Sequence, residues 1–178
     1  SYASALELAY FGATVIHPKT IAPVMEDNIP IHIKNALKPD AKGTLISADV
    51  PASSLPIQGI TSISDIALIN IEGTGLIGVC STAARVFGAL AHVEISVILI
   101  SQASSEHSIC LAVQRDVADQ AVKVLEDAFE FEIAQRQVER IEADKACAIL
   151  AVVGDGMEGA VGVNSRLAAT LAQANINL

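Results

Sequence analysis

At 178 residues, with 20 Asp plus Glu against 11 Lys plus Arg and a formal charge of −9, the chain lacks the positive surface that neutralises phosphates, which excludes nucleic acid and anionic membrane as partners. Hydrophobic residues make up 52% of it and aromatic ones only 3%, so the expected core is aliphatic, the platforms that stack bases are missing, and disorder is excluded.

The chain opens with Ser4-Ala-Leu-Glu7, a capping-box pattern ahead of Leu6, Ala9, Tyr10 and Ala13 at helical spacing, which predicts a short amphipathic helix stopped near Gly12. Pro18 suits the first position of a second helix. Ile29-Pro-Ile-His-Ile33 alternates like a strand, Lys38 to Gly43 is turn chemistry, Thr44-Leu-Ile46 is a short extended piece, and Pro51 to Pro56 reads as a linker. So little structure over residues 1–56 cannot bury enough surface to stand alone, and it reads as the tail of a larger domain.

Downstream, Glu72-Gly-Thr-Gly-Leu-Ile-Gly-Val79 returns as Val153-Gly-Asp-Gly-Met-Glu-Gly-Ala160 at an offset of 81 residues. Arg85 then pairs with Arg166, Leu90 with Leu171 and Ile95 with Ile176, and the aliphatic runs Ala67 to Ile71 and Ala148 to Val152 precede the two glycine segments. Two copies of one supersecondary unit are implied. In the first copy, Ile66 to Ile71 reads as a strand, Ser81 to His92 as a helix, Ile95 to Ile100 and Ser108 to Val113 as strands, and Val117 to Phe129 as a helix. Phe131 to Ile133 or Gln137 to Ile141 supplies a last strand. The order is the split βαβ, ferredoxin-like pattern.

Both glycine segments satisfy GxGxxG between strand and helix. A dinucleotide site also needs a carboxylate ~20 residues on, at the end of the next strand, where Val97-Ile-Leu-Ile-Ser101 has none. Two readings stay open: a cradle in which backbone N–H groups and a helix start meet a small anion such as an amino acid's carboxylate, or a tight turn without a ligand.

These residues carry a family resemblance. FGATVIHPKTIAPVMEDNIPIHIKN followed by GTLI resembles the C-terminal end of the catalytic domain of aspartate kinases. EGTGLIGVCSTAARVFGALAHVEISVILISQASSEHSICLAV resembles their first ACT module, and VVGDGMEGAVGVNSRLAATLAQANINL the start of the second. The wording ISQASSEHS is most similar to threonine-regulated members, particularly those fused to homoserine dehydrogenase. The resemblance implies an α+β chain. Residues 1–56 would be the tail and linker of an α/β amino-acid kinase domain, 57–145 a complete βαββαβ ACT module with its flanking strand, and 146–178 part of another.

It also implies a parent enzyme that phosphorylates aspartate with ATP and magnesium. The nucleotide site would lie mostly upstream of Ser1, and no cofactor, catalytic residue or metal ligand is expected within this stretch. Thr14 stands where many members have a nucleotide-contacting lysine, and His17-Pro18 reads as a structural turn. The expected ligand is threonine, or lysine if the parent is a monofunctional lysine-sensitive kinase; a dimerisation module without ligand is the other alternative. Effector binding is carried onto Gln102, with Gly73, Gly75, Gly78, Val79, Ser81 and Thr82 nearby. A glutamine amide both donates and accepts toward an amino acid, and a helix start suits its carboxylate. Homo-oligomers through ACT modules and an upstream kinase domain are the implied partners.

Other candidates read as structural. Ser104-Ser105-Glu106-His107 is a polar hairpin whose adjacent side chains diverge too far for a triad. The acidic run Glu126, Asp127, Glu130, Glu132, Glu139, Glu142 and Asp144 is a solvated face. Cys80, Cys110 and Cys147 stand apart in apolar runs, with no CxxC pair or Cys/His cluster, so neither a zinc site nor a disulfide framework is expected and a reduced cytoplasmic setting fits. No apolar stretch approaches the ~18 residues of a membrane span, and SYASALELAYFG lacks a basic n-region. Without an initiator Met, the chain reads as a processed product or a piece of something longer.

Overall fold

A computed structural model describes residues 1–51, 55–74, 81–102 and 108–178. Their contacts form two compact units, Ser1–Ser62 with Leu150–Leu178, and Ile63–Ile149.

The first unit begins with α1 (Tyr2–Tyr10), whose cap is Ser1, not Ser4: the Ser1 hydroxyl accepts from Ser4 N at 3.1 Å. Only Ser4 has the capping-box glutamate three residues on, and burial overrides that signal. Tyr2 must be helical to bury its ring beside Ile21 and Ile46 and to donate its hydroxyl to Ile29 O at 2.6 Å. Helix α2 (Pro18–Glu26) starts at Pro18 as expected, and His17 has a structural role as its cap, with Nδ1 accepting from Lys19 N at 3.2 Å. Strands β1 (Ile31–Ile33) and β2 (Thr44–Ile46) pair antiparallel, Ile31 opposite Ile46.

The remaining elements are β3 (Gly59–Glu72), α3 (Thr82–His92), β4 (Leu99–Gln102), β5 (Ser108–Gln114), a 3-10 turn at Arg115–Val117, α4 (Ala118–Ala128), α5 (Glu130–Ala134), β6 (Arg140–Val153) and α6 (Val163–Gln173). The sheet order β4-β5-β3-β6 makes β3 to β6 the expected βαββαβ, ferredoxin-like arrangement. Strand β5 runs antiparallel to both β3 and β4. Period-two residues Ala67, Ile69 and Ile71 of β3 and Ile109, Leu111 and Val113 of β5 form one buried face. Val86 and Leu90 of α3, and Ala118, Ala121 and Leu125 of α4, at helical spacing, cover it.

Three strand expectations change. Phe131 to Ile133 is helical, within α5. The strands expected at Gln137–Ile141 and Ala148–Val152 are one strand of 14 residues, β6, because no glycine or proline interrupts Arg140 to Val153. Strand β4 begins only at Leu99, because Ile95 belongs to the cap of α3.

The repeat holds at the level of geometry. Adding 81 to the bounds of β3 (59 and 72) gives those of β6 (140 and 153), and adding it to those of α3 (82 and 92) gives those of α6 (163 and 173). The helices also end alike. Glu94 and Asn175 both take φ 58°. Ile95 N donates to Leu90 O at 3.0 Å and Glu94 N to Ala91 O at 3.1 Å; Ile176 N donates to Leu171 O at 2.9 Å and Asn175 N to Ala172 O at 3.0 Å. Each is a Schellman cap.

Two substitutions, one within α3 and one just after it, test this account. A Cβ at Gly88 would meet nothing within 4 Å, and the repeat has Ala169 there. Gly88→Ala is expected to stabilise the chain by about 1 kcal/mol. Glu94→Gly relieves the left-handed backbone and is expected to add roughly 0.5–1 kcal/mol net of glycine's extra unfolded-state freedom. Urea titration reads both, and a midpoint that fails to rise contradicts the corresponding assignment.

Candidate functional site

Gln102 ends β4 opposite Ile109, and Ile109 in turn lies opposite Ile71 of β3. The three residues form one row across the sheet, and rows of register partners share a face; Ile71 and Ile109 are buried on it, while Gln102, on the edge strand, stays exposed. Two strand spacings, about 10 Å, separate Gln102 from the end of β3. Gly73 follows that end directly. A Cβ there would come 2.1 Å from Gln137 O, so this glycine serves close backbone packing, beside the bond from Glu139 N to Glu72 O at 2.8 Å. Ser81 occupies the cap position of α3 but makes no side-chain cap bond, and Thr82 is buried. The fold thus brings Gln102 and Gly73 to one end of the sheet, with Ser81 and Thr82 opening α3. Gly75, Gly78, Val79 and Cys80 lie outside the described residues, as do Glu106, His107 and the two serines before them.

The helix opened by Ser81 is held by a contact that sequence reading missed. Arg85 makes a two-pronged ion pair with Glu132, its Nη2 lying 3.0 Å from Oε2. Nη2 also donates to Ala128 O at 2.5 Å, and the guanidinium lies 4.4 Å from the centre of the buried Phe129 ring. The hydrogen bond from Arg85 holds the Glu132 carboxyl below the usual carboxylate range. Glu132 therefore does not belong to the solvated acidic face assigned to it. Composition could not separate it from Glu126 or Glu130, because its partner is remote in sequence.

The second glycine segment shows what such a loop can form. Gly159 and Gly162 take φ 77° and 85°, and α6 starts without a side-chain cap. A hollow of about 210 Å³ is lined by Met157, Ala160, Gly162, Val163, Asn164 and Ser165. At Gly154, the counterpart of Gly73, a Cβ would come 2.1 Å from Pro56 O, and Gln58 N donates to Val153 O at 2.8 Å. Asp155 is tied to α1: its carboxylate accepts from Ser4 Oγ at 2.7 Å, Ser1 Oγ at 3.0 Å and Gln58 Nε2 at 3.3 Å. These bonds, that of Ser4 first, lower its pKa.

Burial raises the thiol pKa of Cys110, and burial together with Asp144 raises that of Cys147, which makes both weaker nucleophiles than a free thiol. Among the described residues no three His, Cys, Asp or Glu side chains are grouped to hold a metal ion, and no helix is long and apolar enough to cross a membrane. Thr14 is exposed between α1 and α2.

The ACT domain family matches residues 69–129. The bifunctional aspartokinase/homoserine dehydrogenase of Haemophilus influenzae is 47% identical over 178 residues, covering 100% of this chain and 22% of that protein. The aspartate kinase of Clostridium acetobutylicum, an allosteric enzyme, superposes with a TM-score of 0.86 at 28% identity, covering 99% of this chain and 40% of the other. E. coli aspartokinase III in complex with aspartate and ADP gives 0.74 at 25% identity, covering 97% of this chain and 38% of the other. In complex with lysine and aspartate the same enzyme gives 0.63 at 27% identity, covering 86% and 33%. The chain thus spans about a fifth of the Haemophilus protein and two fifths or less of the two kinases. Residues 69–129 thus match the ACT domain family, and the chain is similar over its whole length to a part of these aspartokinases.

Proposed function

We propose that this chain senses threonine for an aspartate kinase and, through that binding, restrains the ATP- and magnesium-dependent phosphorylation of aspartate. The parent enzyme in this reading also carries homoserine dehydrogenase, like the Haemophilus relative. Residues 1–56 would be the end of its catalytic domain, 57–145 the first ACT module and 146–178 the start of a second. The observation that carries the reading is the row Gln102, Ile109, Ile71, which sets a glutamine amide at the sheet end where β3 stops. In the proposed site the amide of Gln102 meets the effector's polar groups. Backbone N–H groups of the Gly73, Gly75, Gly78 and Val79 segment, with those of Ser81 and Thr82, meet its carboxylate.

A lysine-sensing site is the second reading, supported by the lysine complex of the E. coli kinase. Association through ACT modules is proposed as well: β4 is an edge strand with Leu99 and Ile100 exposed, and such an edge accepts another strand. A cytoplasmic setting goes with both readings.

Calorimetric titration tests the site. Gln102→Ala should leave the aliphatic core intact, since Gln102 is exposed, yet weaken threonine binding by roughly 1–3 kcal/mol, the cost of a polar partner left unmatched. Equal affinity in both proteins removes Gln102 from the site, and tighter lysine than threonine binding moves the assignment to the second reading. Purified on its own, the chain is expected to form no aspartyl phosphate, because phosphoryl transfer needs a phosphate cradle and metal ligands that the proposal assigns to the upstream domain. Detectable product would contradict that division of labour.

A further inference from the structure

Glu132 is where two separate contacts of the 63–149 unit meet. Its carboxylate grips Arg85, one turn into α3, on a guanidinium already fixed by Ala128 O and the face of Phe129. Its main-chain carbonyl accepts from Gln137 N at 2.8 Å and Val138 N at 3.2 Å, around Arg136 at φ 58°. This is the turn against which Gly73 packs with no room for a Cβ. Gly73 directly follows β3 and Arg85 lies early in α3. One residue therefore ties down the chain on both described sides of the glycine segment, its side chain on one and its backbone on the other.

An isolated surface ion pair contributes little to stability, but this one has a planar fork, a ring and a helix-end carbonyl that together permit only one geometry. The carbonyl of Ala128 ends α4 and would otherwise be an orphan acceptor. A ligand that meets backbone N–H groups at the start of α3 binds more tightly if their positions are set beforehand, because less ordering cost falls on the binding step.

We infer that Glu132 is a positioning residue for the effector site, holding the start of α3 and the end of β3 in the spacing that the ligand requires without touching the ligand itself. This rests on the reading of Gln102, Gly73, Ser81 and Thr82 as effector-binding. The sequence signal for it is a single pair: the arginine recurs at Arg166, while its acidic partner hides in a run of carboxylates.

The test titrates threonine and lysine into the unaltered chain, Glu132→Gln, Arg85→Gln and the double variant, each at a temperature where circular dichroism shows it folded. Each single change is expected to weaken effector binding about tenfold, and the double change no further, because a clasp lost once cannot be lost again. A merely structural pair would lower the melting temperature and leave affinity in the folded state untouched. Unchanged affinity in Glu132→Gln, or losses that add in the double variant, overturns the inference and leaves the effector reading standing. Failure of the unaltered chain to bind either amino acid overturns the effector reading and, with it, the role given to Glu132. If Glu132→Gln does not fold, Arg85→Lys, which keeps the charge and loses the fork, is read in its place, and unaltered affinity there overturns the inference.

Discussion

At Gly73 and Gly154 the backbone comes so close to a carbonyl oxygen, Gln137 O and Pro56 O respectively, that a Cβ would sit 2.1 Å away. That approach sets where both long strands stop. With no side chain in the way, Glu139 N reaches Glu72 O and Gln58 N reaches Val153 O, each at 2.8 Å. The two glycines are 81 residues apart, and so are Gln137 and Pro56. The same local solution has therefore been used twice, on both sides of the contact. A repeat of apolar residues tolerates drift, because one aliphatic side chain replaces another at small cost. A repeat anchored on backbone contacts does not, which explains why strand and helix bounds recur without a residue of slippage.

Much of this was legible in the sequence. The aliphatic run Ala67 to Ile71 and the segment Ser108 to Val113 read as strands, and the glycine repeat announced two copies of one unit. What failed to show were features set by remote partners. Three residues such as Phe131 to Ile133 carry no period that separates strand from helix. The continuity of β6 was hidden by the charged stretch at Asp144 and Lys145, which looked like a boundary although it contains neither glycine nor proline. The alignment of Gln102 with Ile71 depends on a register that passes through Ile109, and no pattern within β4 encodes it.

Helix ends tell a similar story. Four left-handed residues, Asn28, Glu94, Arg136 and Asn175, follow α2, α3, α5 and α6, and only the asparagines suit that conformation by their own chemistry. At Glu94 the geometry is set by what comes next: Ile95 is buried in the core with Leu90, and its N–H reaches the carbonyl of that same residue. The apolar contact and the cap bond close together, so the backbone between them takes a left-handed turn whatever side chain it carries.

Charge in this unit follows a matching division. Arg115 with Asp65, Arg140 with Glu72 and Glu142, and Lys145 with Asp119 are pairs in which both side chains are exposed, and solvent and salt screen such pairs to small contributions. Arg85 with Glu132 differs in kind: the glutamate is only 20% exposed and the arginine has three fixed partners. In a chain with a formal charge of −9, an extra exposed carboxylate is readily replaced. A half-buried carboxylate holding a helix start is not, since removing it leaves a guanidinium with fewer partners and frees the turn that the cation was anchoring. The functional weight of an acidic residue here is therefore set by what its partner is attached to, and α3, which begins at Thr82 beside the candidate site, is the element attached to Arg85.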